Sequence, residues 1–169
     1  MTRIVCTADI HEHLPEIPEC DLLLIAGNHD QSIEAWGVPA GLRCHYLEDA
    51  GAELCGLKVW GTPWQPWFYD WAFNAPREDG EHFLAEKFAL IPGDVDVVIC
   101  HGPPLGYGDQ GKGSSALTDA IQRVRPQLVL GGHIHPGYGR YRLGETEIIN
   151  AAYVDDDYKP ANPLVEIEL

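Results

Sequence analysis

The chain has no long hydrophobic run and few basic residues. No stretch approaches the ~20 consecutive apolar residues that cross a bilayer, and its apolar start is too short for a secretion signal. We therefore expect a soluble, cytoplasmic protein with no membrane partner. Only 11 Lys and Arg stand against 26 Asp and Glu, a formal net charge of −15 at pH 7. This charge argues against a long nucleic acid partner, but a small phosphorylated substrate is compatible with it if bound cations supply positive charge.

Cysteine gives no disulfide or zinc pattern. There are five cysteines, an odd number, and no two of them have the Cys-x-x-Cys spacing. They are Cys6, Cys20, Cys44, Cys55 and Cys100. We interpret them as reduced, buried thiols, because most lie in or beside apolar segments. At 169 residues the chain, taken as a single domain over 1–169, is long enough to bury a core without disulfides.

Short apolar runs alternate with segments of helical periodicity. The runs lie at 3–9, 21–27, 54–61, 94–100, 127–132, 146–150 and 164–169. Several are apolar almost throughout, which is typical of strands covered on both faces. Residues 81–90 and 115–124 have apolar side chains at helical spacing, and Ser114 or Ser115 can cap the second helix. The mixture predicts an α/β domain, and the Gly- and Pro-rich segment 101–113 is expected to be a functional loop.

Polar residues that can bind a metal follow four of the predicted strands. They are Asp9 and His11, Asn28 and His29, His101, and His133 and His135. In open α/β sheets, ligand sites form beyond the carboxyl ends of the strands, so these four ends can face one place. Residues two apart in an extended segment project to the same side, which makes each Asp-x-His or His-x-His a pair. A carboxylate, an amide oxygen and several imidazoles suit Mn, Fe or Zn better than Ca²⁺.

Each motif alone has an ordinary structural explanation. Asp-x-His at a strand end is common in turns and caps, and Gly-Asn-His-Asp is a good turn sequence because Gly and Asn tolerate positive φ. Gly-His-x-His after a buried strand is harder to explain without a metal, because its two imidazoles would be costly to desolvate. The joint occurrence of the motifs favours a metal site. The remaining histidines, His13, His45 and His82, are interpreted as ordinary polar residues.

These motifs resemble the signature blocks of the calcineurin-like metallophosphoesterase superfamily. The matching stretches are TADIH at 7–11, GNHD at 27–30, CHGPP at 100–104 and GGHIH at 131–135. Longer stretches at 59–74, 99–109, 123–139 and 148–152 resemble one branch in particular. That branch is the brain-type metallophosphoesterase-domain-containing proteins, which are similar to class III cyclic nucleotide phosphodiesterases. The likeness spans nearly the whole chain.

The resemblance implies a role for each matching residue. The residues implied to bind a first divalent ion are Asp9, His11 and His135, and those implied to bind a second are Asn28, His101 and His133. His29 would protonate the leaving oxygen, and Asp30 would orient His29. The implied enzyme is a metallophosphoesterase that hydrolyses small phosphodiesters or phosphomonoesters, such as cyclic or mononucleotides, by attack of a metal-bound hydroxide. Mn²⁺ is the ion expected first, with Fe, Zn²⁺ and Mg²⁺ as alternatives.

One stretch that carries the resemblance, VWGTPWQPWFYDWAFN at 59–74, is unusually rich in tryptophan. We call it the tryptophan segment. It contains Trp60, Trp64, Trp67 and Trp71. We expect most of these rings to pack in the core and one or two to wall the substrate pocket.

The sequence departs from the family pattern between its first two motifs. The family has there a strand ending in Gly-Asp, whose carboxylate bridges the two metals, and then a helix and a further strand. This chain has one strand, 21–27, that leads directly into Asn28. Two alignments are open: a deleted βα unit, or Asn28 as a degenerate form of that Asp. In both alignments a carboxylate ligand is missing, and Glu12 and Asp30 are the candidates to replace it.

The expected architecture is therefore an αββα sandwich of two mixed sheets that lacks one βα unit. If the missing strand is central, a second chain can cover the gap, which would make the protein a homo-oligomer. Without the bridge, one metal is expected to bind tightly and the other weakly. The alternative function is a catalytically weakened relative that binds a nucleotide or phosphate. A structural zinc protein is disfavoured because the candidate ligands include no cysteine.

Overall fold

The computed structural model describes residues 2–11, 13, 15–16, 23–38 and 44–169. The strands are β1 Arg3–Cys6, β2 Leu23–Leu24, β3 His45–Tyr46, β4 Ala50–Leu54, β5 Leu57–Thr62, β6 Val97–Cys100, β7 Leu128–Gly131, β8 Gly139–Leu143, β9 Thr146–Asn150 and β10 Val165–Glu168. The helices are α1 Gln31–Trp36, α2 Gly80–Ala89 and α3 Ser115–Val124, with a 3₁₀ turn at His135–Gly137. None of the helices within these ranges has the length and apolar character needed to cross a membrane.

Six strands form one mixed sheet in the order β4-β5-β6-β7-β9-β8. Its central strands β5, β6, β7 and β9 run parallel, while β4 and β8 pair antiparallel at the two edges. β1 pairs antiparallel with β10, and β2 pairs parallel with β3. Because the central strands are parallel, their carboxyl ends meet at the same edge of the sheet.

Helices cover one face of the six-stranded sheet, and strands cover the other. On the helical face, Leu84 and Phe88 of α2 and Ile121 of α3 pack in one cluster with Val98 and Val129 of the sheet. On the opposite face, the β1–β10 pair packs against the alternate side chains of the same strands. The buried residues of that second cluster include Val97, Leu128, Ile149, Val165 and Ile167. The predicted α/β sandwich is confirmed, and β2 is the described strand between β1 and Asn28.

Helix α3 follows the sequence pattern closely. The Ser114 hydroxyl accepts a hydrogen bond from the Leu117 backbone N–H at 3.2 Å, so Ser114 rather than Ser115 is the cap. Its buried residues are Leu117, Ala120, Ile121 and Val124, which lie on one helical face. The helix ends at Arg125, whose φ of 53° places it in the left-handed region.

The run 54–61, predicted as one strand, is instead a hairpin. β4 ends at Leu54 and β5 begins at Leu57, and the two strands pair antiparallel in register. Cys55 and Gly56 connect them with φ values of 51° and 78°. Positive φ at both central residues is typical of the tight turns that match the twist of a hairpin. The sequence pattern did not predict this turn, because apolar residues flank it on both sides.

The same turn corrects the interpretation of the cysteines. Cys55 is exposed at the hairpin, whereas Cys100 is buried in β6. Burial raises the pKa of both Cys6 and Cys100 to about 12, so these two thiols stay protonated at neutral pH. Cys20 lies outside the described residues.

A half-buried carboxylate joins helix α2 to the sheet. Asp49 accepts hydrogen bonds from the Thr62 hydroxyl, the Trp64 indole N–H and the Lys87 ammonium, each at 2.8 Å. The side chains of Lys87 and Asp49 are 28% and 13% exposed, so the charges are partly shielded from water. Lys87 also lies 4.3 Å from the centre of the Trp64 ring. The pair therefore fixes the start of the tryptophan segment against α2.

We predict that Asp49→Asn lowers the free energy of unfolding by about 1–3 kcal/mol, because Lys87 is left half-buried without its counter-charge. Asn keeps the side-chain shape and tolerates the positive φ of 47° at this position. Urea denaturation of the two proteins measures the difference. The matched control is Asp94→Asn, which breaks the Lys58–Asp94 pair, whose side chains are 52% and 69% exposed. An equal loss in both variants would contradict the assignment.

Candidate metal centre

The residues predicted to bind metal come together at the carboxyl edge of the sheet. Asp9 and His11 follow β1, His101 follows β6, and His133 and His135 follow β7. The Gly27–Asp30 turn, which contains Asn28 and His29, lies against His101. The structure thus brings the four motifs to one place, although they are far apart in the sequence.

The first group consists of Asp9, His11 and His135. One ligand atom from each of these residues lies within 4.8 Å of the other two. Asp9 and His11 adopt positive φ values of 52° and 39°, a region in which Asp and His are more common than most residues other than glycine. Burial, followed by the nearby His29 and His135, lowers the pKa of His11. His11 is therefore more readily available as a neutral ligand.

Backbone contacts hold this group in place. The Asp9 carboxylate accepts a hydrogen bond from the backbone N–H of His133 at 2.6 Å, which leaves its other oxygen for a cation. The Nδ1 atom of His135 lies 2.9 Å from the Asp155 carbonyl oxygen. If Nδ1 carries the proton in that hydrogen bond, Nε2 is the atom that can bind a metal.

The second group consists of Asn28, His101 and His133. The Nε2 atom of His101 lies 2.7 Å from the Asn28 amide oxygen, and the rings of His101 and His133 lie 4.9 Å apart. Asn28 and His101 are buried. Burial lowers the pKa of both His101 and His133 to about 3, and neighbouring histidines act in the same direction. Both rings are therefore neutral at physiological pH.

The donor set fits a divalent transition metal. It offers one carboxylate, one amide oxygen and neutral imidazoles, which is the mixture that Mn, Fe and Zn accept. Two glycines of the motifs let these groups approach. A Cβ on Gly27 would lie 2.6 Å from the His101 ring, and a Cβ on Gly132 would lie 2.2 Å from an Asp9 oxygen. Neither position has room for a side chain.

His29 and Asp30 stand beside the ligand groups in different ways. The exposed His29 ring lies 4.7 Å from the His11 ring and 4.7 Å from the Trp71 ring. The Asp30 carboxylate accepts a hydrogen bond from the Gly27 backbone N–H at 2.7 Å and closes the turn. Within the described residues, no hydrogen bond joins Asp30 to His29. The orienting role of Asp30 stays a prediction. Of the other candidates to replace the bridge, Glu12 lies outside the described residues.

The site opens into a cleft of about 540 Å³. Asn28, His29, His133 and His135 are among its lining residues. Trp67, Phe68 and Trp71 form an aromatic wall, so two of the four tryptophans line the pocket. The predicted functional loop supplies a further wall, Gln110–Gly113. Trp64, by contrast, packs between the core and Phe73 and Phe83.

Sequence reasoning missed Tyr158. Its ring lies 4.6 Å from that of His11 and 5.6 Å from that of His135, and it lines the cleft. The turn that carries it is closed by Asp155, whose carboxylate accepts the N–H groups of Asp157 and Lys159. Tyr158 belongs to no motif, and its contact with His11 depends on how the loop after β9 folds back, so no local signal in the sequence marks it.

Three comparisons relate the chain to known proteins. A calcineurin-like phosphoesterase family model matches residues 15–137, a range that begins after Asp9 and His11 and contains the other candidate site residues. Human metallophosphoesterase domain-containing protein 1 is 44% identical over 133 residues, which cover 75% of this chain and 40% of the relative. The UPF0046 protein C25E10.12 of Caenorhabditis elegans is 30% identical over 227 residues, covering 96% of this chain and 79% of the relative.

A solved crystal structure agrees in fold, with a TM-score of 0.52 at 22% identity over 76% of this chain and 56% of that chain. The chain spans about two fifths of the length of the human relative. The family model nevertheless covers well over half of this chain. On that evidence the chain belongs to the calcineurin-like phosphoesterase family.

Proposed function

We propose that the protein is a metal-dependent phosphoesterase that hydrolyses small phosphodiesters or phosphomonoesters. The observation that carries this proposal is the clustering of the two ligand groups beside one cleft, whose lining includes Asn28, His133 and His135. Asp9, His11 and His135 place their ligand atoms within 4.8 Å of one another, and His133 of the second group is hydrogen-bonded to Asp9. Family membership supports the same reaction class.

Each group of the cleft has a distinct role in this proposal. Asp9 and the neutral imidazoles hold the divalent ions, which when bound neutralise charge that develops on the phosphoryl group. His29 lies at the rim of the ligand groups and donates a proton from an imidazole nitrogen to the departing oxygen. No side chain of the described cleft is required as a nucleophile.

The cleft walls support a small aromatic phosphoester, such as a cyclic or mononucleotide, as substrate. The aromatic wall offers flat surfaces for a nucleobase, on which stacking contributes ~1–3 kcal/mol per base. Lys112 lies 5.5 Å from the centre of the Phe68 ring and supplies a positive charge beside that wall. We propose Mn²⁺ as the preferred ion because the donor set mixes oxygen and nitrogen.

One observation favours the alternative, a relative that binds a phosphate or nucleotide without much turnover. Within the described residues, Asp9 is the carboxylate residue whose oxygen lies close to the ligand atoms of His11 and His135. One oxygen of the Asp30 carboxylate accepts the Gly27 N–H. Among the described residues, therefore, no second Asp or Glu belongs to the cluster of Asp9, His11 and His135.

Hydrolysis of bis-p-nitrophenyl phosphate with added Mn²⁺ separates the two functions. We expect turnover by the native protein, and a loss of at least ~10²-fold in His135→Ala, because this variant removes a ligand of the first metal. The control is His82→Ala, whose imidazole is exposed on α2 and contacts Glu86. Tight binding of a nucleotide with no turnover at saturating Mn²⁺ would establish the alternative instead.

We predict that EDTA lowers the melting temperature of the protein. A metal held by Asp9 and His135 joins segments from both ends of the chain, and a ligand bound only by the folded state stabilises it by mass action. Differential scanning calorimetry with Mn²⁺ and with EDTA measures the shift. His135→Ala should abolish most of it.

A second variant tests the same metal without removing a ligand. Gly132→Ala forces a Cβ to within 2.2 Å of the Asp9 oxygen, so the carboxylate must move and the EDTA-sensitive shift should shrink. Gly93→Ala is its control, because a Cβ there meets nothing within 4 Å. An identical melting curve of the native protein with and without chelator would count against the metal centre.

We also predict two metal sites of unequal affinity. A bridging carboxylate offsets the repulsion between two dications ~3.5–4 Å apart, and the described site lacks one. The group with Asp9 carries a negative charge, whereas Asn28, His101 and His133 are all neutral. Isothermal titration with Mn²⁺ should show one tight ion and a second that binds weakly unless phosphate is present. Two tightly held ions without any anion would contradict this prediction.

A further inference from the structure

The segment that carries Trp71 is docked on the Gly27–Asp30 turn. The Ala72 backbone N–H donates to the Asn28 carbonyl oxygen at 3.0 Å, directly next to His29. The Phe73 N–H donates to the Glu34 carboxylate at 2.7 Å, one residue further along. Both contacts fix the backbone beside Trp71 relative to the backbone of His29.

Packing reinforces this docking. Ala72 and Phe73 are 0% and 1% exposed, and they form one buried cluster with Ala26, which precedes the turn. The side chain of Trp71 emerges from this anchored segment into the cleft. The anchored backbone of Ala72 and Phe73 therefore fixes where the Trp71 side chain enters the cleft.

His29 depends on its ring neighbours for its orientation. It is exposed, and among the described residues its side chain makes no hydrogen bond. The Trp71 ring lies 4.7 Å from it at an interplanar angle of 43°, and the His11 ring lies 4.7 Å away at 72°. Both distances fall within the ~4.5–7 Å range of favourable aromatic pairs. The Asp30 carboxylate accepts the Gly27 N–H.

We infer that Trp71 is a positioning residue: its indole, anchored through Ala72 and Phe73, holds the His29 imidazole in the orientation needed to protonate the leaving oxygen. This inference rests on the proposed function for the role of His29. An exposed imidazole with no fixed partner samples several rotamers, and only some of them aim a nitrogen at the ester oxygen. The contact with the tilted Trp71 ring restricts that sampling. Trp71 therefore acts through His29 and need not touch the substrate.

The test compares two esters of the same charge and similar shape. Bis-p-nitrophenyl phosphate has a good leaving group and needs little help from an acid, whereas diphenyl phosphate has a poorer one. The leaving-group ratio is kcat for the first divided by kcat for the second. His29→Ala should raise this ratio about 10-fold or more. Trp71→Leu should raise it about 3- to 10-fold, and Trp71→Phe, which keeps a ring, should restore most of the native value.

Two comparisons separate positioning from contact with the substrate. In a His29→Ala background, Trp71→Leu should cause no further change of the ratio, because the residue it positions is gone. Trp67→Leu removes another tryptophan of the same cleft and should change kcat for both esters by the same factor. The inference is overturned if Trp71→Leu lowers kcat for both esters by the same factor. It is also overturned if Trp71→Leu changes the leaving-group ratio as much in the His29→Ala background as in the native protein.

A readout without catalysis keeps the test independent of the proposed function. The indole ring current shifts the NMR resonances of the His29 ring protons, and Trp71→Leu should move these resonances while Trp67→Leu leaves them in place. If the native protein hydrolyses neither ester, the proposed function fails, and the NMR comparison then tests the contact between Trp71 and His29 on which the inference depends. His29 resonances that stay unchanged in a folded Trp71→Leu protein would overturn the inference.

Discussion

One hydrogen bond holds the two halves of the site together. The Asp9 carboxylate accepts the backbone N–H of His133, a residue 124 positions later in the chain. Ala8 supports this contact, because its backbone pairs with Ala151 and Tyr153 where β1 and β9 end. The contact requires Gly132, since any side chain there would occupy the space of the carboxylate. The contact therefore ties together the two chain segments that supply the first ligand group.

The electrostatics of the site follow from burial. The chain is strongly acidic, yet the described ligand groups contain a single carboxylate and otherwise neutral donors. Burial keeps His101 and His133 uncharged. Each ring therefore has one unprotonated nitrogen that can bind a cation. The Lys87–Asp49 pair joins α2 to the sheet and does not compete for it, whereas the exposed Asp156 lines the cleft. A pocket with few charged ligands can thus take up divalent ions in an acidic protein and then an anionic ester.

The sequence predicted those parts of the site that depend on local pattern, and missed those that depend on tertiary contact. Helix α3 follows from periodicity, with Ser114 and Ser115 both open as its cap, and a metal site that includes Asp9 and His135 follows from the order of motifs behind apolar strands. The Cys55–Gly56 turn was missed because apolar residues flank it on both sides. Tyr158 was missed because its contact with His11 depends on how a loop folds back. The partner of Asp30 could not be predicted either, since a carboxylate in a turn can face a side chain or a backbone N–H.

The tryptophan segment adds support for the position of Asn28. Within the described residues, β2 and β3 pair through two residues each, so strand pairing there holds the Gly27–Asp30 turn weakly. Side-chain packing adds support, because Gly61 of β5 has no side chain, and Ile25 and Leu47 fill the space its Cβ would need. The Ala72 N–H then binds the Asn28 carbonyl oxygen from the other side. The turn is therefore held between β5 and the tryptophan segment, which requires that segment to be both apolar and rigid. A run of large aromatic residues with the buried Ala72 between Trp71 and Phe73 meets both requirements, and it places Trp71 against His29 as a consequence of the same packing.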